Sequence, residues 1–244
     1  MEIFADTADL AEIRLWLHYG VVDGVTTNPS IMLGAGAYNG RQRTIEIAAL
    51  LGNKPLSVEV VSDDPAEMVE QARDMATWAD NLVIKIPVIT TQGQPCLGAI
   101  RELTQAGIRV NATACLSFGQ ALLAAKAGAT YVSLFAGRIS DEGGNASAVI
   151  RSVAEWLRHW SFPTKIIVGS IREVSNIQEA ALAGAHVVTV PPKFLHGLVD
   201  HKYSRFTVQQ FLSDGQAAQE RLLALELERQ GPSGSPDPAL AVRG

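Results

Sequence analysis

Carbonyl chemistry run by side chains alone needs an amine that can add to a ketone and carboxylates that can carry protons. Three residues of this sequence have those types and sit where charges are unusual. Lys85 lies in the apolar run "NLVIKIPVIT" (81–90), Glu59 lies inside "SVEVV" (57–61), and Asp6 closes "EIFAD" (2–6). Taken alone, Lys85 admits three roles. Its carbon stem can lie on apolar neighbours while the ammonium reaches water; it can form a partly buried ion pair; or desolvation can keep the amine neutral so that it attacks a carbonyl. Glu59 admits two, ion partner of a buried base or proton carrier, because an unpaired buried charge costs several kcal/mol. Asp6 alone is best taken as a cap for the helix that follows, a role open also to Asp9, which has Glu12 at capping-box spacing.

The elements that must position these residues recur along the chain. "EIFAD", "VDGVTTN", "LSVEVV", "LVIKIP", "RVNATA", "YVSLFAG", "KIIVGS" and "HVVTVPP" are eight short β-branched runs. Between them lie stretches such as "PAEMVEQARDMATWAD" and "SFGQALLAAKAG", whose apolar residues fall at helical spacing and which often stop at glycine. The runs are nearly continuous in apolar character, as parallel strands covered on both faces are. Eight strand-helix units predict a (β/α)8 TIM barrel. A doubly wound open sheet competes, but it usually has about five or six units and often a Gly-rich turn after the first strand; here that turn reads "ADTADL". An additional C-terminal helix, "FTVQQFLSDGQAAQERLLALELERQ", is interrupted at Gly215 in this reading, and its apolar surface suits docking on a neighbouring subunit. One domain is expected over 1–230, helix included, with a disordered Gly/Pro/Ser-rich tail over 231–244.

A barrel of this kind keeps its chemistry at the carboxyl ends of the strands. There the sequence places Asp6; Thr26, Thr27 and Asn28; Glu59; Lys85; Asn111 and Thr113; Ser133 with Arg138 after it; and Ser170 with Arg172 two residues on. The eighth strand offers only "VPPK". Asn28, before Pro29, could be an ordinary turn residue, and Thr113 and Ser133 could be hydroxyls satisfied by neighbouring backbone. Arg138 and Arg172, following consecutive strands with Ser170 beside the second, form a reasonable phosphate clamp and point to a phosphorylated substrate.

Composition narrows the classes. The chain has 244 residues, 47% of them hydrophobic, and a net charge of −5 without a basic run, which argues against nucleic acid as a partner. No segment approaches a membrane span, and "MEIFADTADL" does not read as a secretory leader, so a cytoplasmic protein is expected. Cys96 and Cys115 read as free thiols, the five histidines form no cluster with metal spacing, and no cofactor motif is present. Neither metal nor cofactor is expected.

"GVTTNPSI" (24–31), "VIKIPV" (83–88), "GRI" (137–139) and "GSIR" (169–172), in this order, resemble the small single-domain transaldolases, a group that also holds the fructose-6-phosphate aldolases. The likeness runs from Met1 to about Gln210. It implies a metal-free class I aldolase in which Lys85 forms a Schiff base with fructose 6-phosphate or sedoheptulose 7-phosphate. Asp6 then resembles the acid/base for C–C cleavage, and Glu59 and Thr113 the pair that positions a catalytic water. Asn28, Asn111 and Ser133 match residues that hold sugar hydroxyls, with Thr26 beside them; Arg138, Ser170 and Arg172 match the phosphate site. The aldolases typically carry Gln at Glu59 and Tyr at Phe135, so this chain looks like the transaldolases, which pass the dihydroxyacetone unit to glyceraldehyde 3-phosphate or erythrose 4-phosphate. An aldolase releasing free dihydroxyacetone is the alternative, a non-catalytic sugar-phosphate-binding barrel a more distant one. The longer connection "VITTQGQPCLG" departs from the family pattern. The resemblance further implies a homo-oligomer, pentamer or decamer, in which the C-terminal helix reaches a neighbour.

Overall fold

The computed structural model describes residues 1–229 and 231. The eight β-branched runs are parallel strands, β1 (Glu2–Asp6), β2 (Gly24–Thr26), β3 (Leu56–Glu59), β4 (Leu82–Pro87), β5 (Val110–Cys115), β6 (Tyr131–Phe135), β7 (Lys165–Gly169) and β8 (Val187–Val190). They close into a barrel in sequence order, with β1 beside β8. Around them run α1 (Leu10–His18), α2 (Pro29–Gly34), α3 (Gly40–Leu51), α4 (Pro65–Met75), α5 (Leu97–Gln105), α6 (Phe118–Lys126), α7 (Ala136–Asp141), α8 (Ala146–His159), α9 (Val174–Leu182) and α10 (Pro192–Val199), followed by α11 (Lys202–Arg229). The expected TIM barrel with an added C-terminal helix is what the chain forms.

Side chains alternate across each strand, which explains how apolar runs can also carry a polar site. In β4, Leu82, Ile84 and Ile86 belong to the large core under the helices, whereas Val83 packs with Phe4, Tyr131, Ile167 and Val187 in a separate cluster. That cluster fills the barrel interior near the amino ends of the strands. Gly24 makes room for it: a Cβ there would lie 2.8 Å from the Phe4 ring and from the Pro55 carbonyl oxygen. Two residues further along, the interior positions are Asp6, Thr26, Lys85, Ser133, Gly169 and Thr189, so the interior turns polar toward the carboxyl end. In β5 the register shifts between Ala112 and Cys115, and Ala114 takes a left-handed φ of 57°. This is a bulge, which locally re-aims the strand next to the polar layer.

The helix starts follow local chemistry. Asp9 caps α1, accepting from the Ala11 and Glu12 amides, so the capping role falls to Asp9 and not to Asp6. Asn28 caps α2, which has Pro29 at its first position.

The chain divides into two compact units, Met1–His196 and Gly197–Gly244; the domain expected over 1–230 spans both. In the second unit α11 is continuous over 28 residues and runs through the interruption expected at Gly215. A glycine in a helix interior costs only about 1 kcal/mol relative to alanine, and the Gln, Ala, Glu, Leu and Arg residues around it are strong helix formers. None of the described residues of α11 is buried. Apart from Gly231, the tail expected over 231–244 lies outside the described residues. Among the described residues no helix is long and apolar enough to cross a membrane.

Candidate active site

Register brings the lysine and the glutamate together. Glu59 and Lys85 are direct partners on β3 and β4, and Lys85 Nζ lies 2.7 Å from Glu59 Oε2. The same amine donates to the Thr27 carbonyl at 2.9 Å. Lys85 is 5% exposed. Of the roles open to it, the stem-buried, head-in-water one is therefore out, and the charge that faces the amine is the Glu59 carboxylate. The pair is also a ready proton-transfer couple.

Asp6 lies across the interior. Thr26 Oγ1 donates to its Oδ1 at 2.7 Å, and Thr26 Oγ1 is in turn in hydrogen-bond contact with Thr189 Oγ1 of β8. Part of Asp6 faces the cavity, yet the carboxyl is densely enclosed by protein. Desolvation raises its pKa above the ordinary 3.8, and the Thr26 hydrogen bond and the charge of Lys85 only partly oppose the rise.

A cavity of about 160 Å³ is lined by Asp6, Lys85, Ser133 and Arg138, with Thr26, Asn28, Phe135, Gly169, Ser170 and Thr189 completing its wall. This is smaller than the roughly 300–1,000 Å³ of pockets that enclose whole ligands, so a sugar phosphate seated here would extend outward past Arg138. A larger cavity of about 490 Å³, bounded by residues of α2, α3 and α4, includes Glu59 and Asn28 but neither Lys85 nor Asp6. Chemistry, not size, makes the smaller one the candidate site.

The remaining expected residues divide. Ser133 Oγ donates to Asn111 Oδ1 at 2.8 Å, and Asn111 Nδ2 donates to Ser57 Oγ at 3.2 Å. Asn111 is fully buried, so it holds Ser133 in place from beneath and does not line the cavity. Thr113 is also fully buried, and its hydroxyl has no hydrogen-bond partner among the described residues. The Arg138 guanidinium lies 5.9 Å from the Phe135 ring centre. Arg172 does not join it: it pairs with Asp141 at 2.8 Å and lines a neighbouring cavity of about 280 Å³. Ser170, the residue after β7, takes a left-handed φ of 59°, a costly conformation for serine that packing against α7 must sustain. Its carbonyl accepts from Gly137 N at 3.1 Å.

Sequence reasoning missed Thr189. A threonine inside "HVVTVPP" is an ordinary strand former; the signal lay in its place one residue before the strand end, in the same interior layer as Asp6, Thr26 and Lys85.

The comparisons agree in direction. The family model described as Transaldolase/Fructose-6-phosphate aldolase matches residues 3–231. A protein of Dehalococcoides mccartyi named "Probable transaldolase" is 40% identical over 220 residues, covering 90% of this chain and 100% of that one. One of the same name from Herpetosiphon aurantiacus is 43% identical over 216 residues, covering 88% and 95%. A solved thiamine phosphate pyrophosphorylase from Pyrococcus furiosus superposes with a TM-score of 0.54 at 15% identity, covering 78% of this chain and 85% of that one, a likeness of fold alone.

Proposed function

The chain belongs to the transaldolase/fructose-6-phosphate aldolase family, and on that premise we propose that it transfers a dihydroxyacetone unit between phosphorylated sugars through a Schiff base on Lys85. The observation that carries this reading is the buried Lys85 amine, 2.7 Å from Glu59 on the wall of a cavity that also holds Asp6. A buried pair of this kind is a poor stabilising device, since well-packed apolar residues do as well or better. A nucleophile beside its own proton acceptor gives it a purpose.

Lys85 passes a proton to Glu59 and adds as the free amine to C2 of fructose 6-phosphate or sedoheptulose 7-phosphate. The carbinolamine hydroxyl leaves as water, protonated from Glu59, with the Thr113 hydroxyl available to hold that water. Asp6 takes the proton of the C4 hydroxyl; the C3–C4 bond breaks, and its electron pair moves into the iminium to give the enamine. The aldose phosphate departs. Glyceraldehyde 3-phosphate or erythrose 4-phosphate then enters, and the steps reverse. Arg138 and Ser170 meet the phosphate of each partner, and Arg172 joins them only by releasing Asp141. The retained fragment carries no phosphate, and the bond to Lys85 is what keeps it in the site.

Glu59 and Phe135, in place of the Gln and Tyr typical of the aldolases, favour transfer over release of free dihydroxyacetone. We propose further that the protein works in the cytoplasm as a homo-oligomer, pentamer or decamer, joined through α11. Incubation with fructose 6-phosphate and erythrose 4-phosphate tests the activity. Sedoheptulose 7-phosphate and glyceraldehyde 3-phosphate should form in equal amounts. Free dihydroxyacetone as the main product would make the protein an aldolase, and no product from either would leave a sugar-phosphate-binding barrel.

A further inference from the structure

We infer that Thr189 is a positioning residue for the acid/base carboxylate: its hydroxyl donates to Thr26 and so fixes the direction in which Thr26 donates to Asp6. The inference rests on the reading of Asp6 as the proton carrier and extends it to which oxygen carries the proton.

The direction follows from counting hydrogens. A threonine hydroxyl has one proton and two lone pairs, and an ionised carboxylate only accepts. At 2.7 Å from Asp6 Oδ1, the proton of Thr26 Oγ1 must lie on that bond. Thr26 has only lone pairs left for Thr189, so Thr189 is the donor in the contact between the two hydroxyls. The result is a one-way chain from β8 through β2 to β1, where the barrel closes. Thr26 is 3% exposed and Thr189 6%, so water competes little for either hydroxyl. The Thr189 methyl lies on the Gly169 side, where a Cβ would meet it at 3.4 Å, so the hydroxyl is the branch left to face Thr26.

Two consequences follow. Oδ1 of Asp6 is occupied as an acceptor whether the acid is charged or neutral, so the proton of the C4 hydroxyl arrives on, and later leaves from, Oδ2. Among the described residues Oδ2 accepts no hydrogen bond. Each donor in the chain also polarises the next, so the Thr189 hydroxyl strengthens the bond that stabilises charged Asp6. Burial pushes the Asp6 pKa upward, and the chain from Thr189 restrains that rise.

The test compares Thr189→Val, which keeps the shape and removes the donor, with Thr189→Ser, which keeps the donor. The readouts are the pH profile of fructose 6-phosphate cleavage and the titration of the Asp6 carboxyl by carbon NMR, assigned with Asp6→Asn. In Thr189→Val the acid limb and the carboxyl titration should both move to higher pH, with kcat/KM lower by about tenfold, the scale of one charge-assisted hydrogen bond. Thr189→Ser should move both back toward wild type. Thr189→Ala replaces the valine variant should that fail to fold, with the same expectation. An Asp6 titration unchanged by loss of the hydroxyl, or a serine variant that behaves like valine, would overturn the inference. The titration needs no turnover: an inactive wild type whose Asp6 still responds to Thr189 would keep the chain and refute the proposed function instead.

Discussion

At Asp6 the carboxyl is enclosed, its charged form is disfavoured, and its pKa lies above the ordinary 3.8. The sign for stability follows directly. Between the unfolded and folded pKa values the native state binds more protons, so stability falls as pH rises through this window, and the cost persists at neutral pH. Asp6→Asn should therefore raise the melting temperature at pH 7, and the gain should shrink as pH falls toward 4; a loss at pH 7 would show that the Thr26 and Lys85 contacts outweigh burial. The same variant should lose about 10²- to 10⁴-fold in cleavage rate, the usual contribution of a positioned proton carrier. Lys85 and Glu59 were legible in the sequence because charges inside apolar runs are conspicuous. Thr189 was not, because nothing in a β-branched run distinguishes a threonine that bonds from one that merely packs. The partner of Arg172 was hidden for a related reason: Asp141 is 31 residues away, and only the path of α7 brings it near.

The strand-helix units were legible from their period, and their boundaries fall within a few residues of the β-branched runs. Hidden in the sequence were the bulge in β5 and the close approach of α7 to the end of β7, because both are matters of backbone path. Gly137 is the point of contact. A Cβ there would lie 2.6 Å from Arg172 Nε and 2.8 Å from Ser170 Oγ, and closer still to the Ser170 carbonyl oxygen. Gly137→Ala should force α7 and the Ser170 turn apart. Overpacking of this kind costs about 1–3 kcal/mol, and the damage falls on the proposed phosphate contacts. The expected kinetic result is a raised KM for fructose 6-phosphate with a smaller change in kcat. An unchanged KM would mean that Ser170 and Arg138 do not meet the phosphate.

At the scale of the whole molecule, α11 exposes Tyr203, Phe206, Phe211, Leu222 and Leu223, each at least half accessible. Apolar exposure of this extent suits the proposed contact between subunits. Sedimentation should find the protein well above its 26.1 kDa chain mass, and Phe206→Asp with Phe211→Asp should shift it to smaller species. A wild-type monomer would remove the proposed assembly without touching the chemistry. That chemistry turns on one covalent bond, and sodium borohydride reduction in the presence of fructose 6-phosphate, followed by peptide mass spectrometry, tests it most directly. A reduced three-carbon adduct on Lys85, absent without substrate and absent in Lys85→Met, is the expected result. A protein that turns over fructose 6-phosphate while Lys85 stays unmodified, or an adduct carried by another residue, would contradict the account.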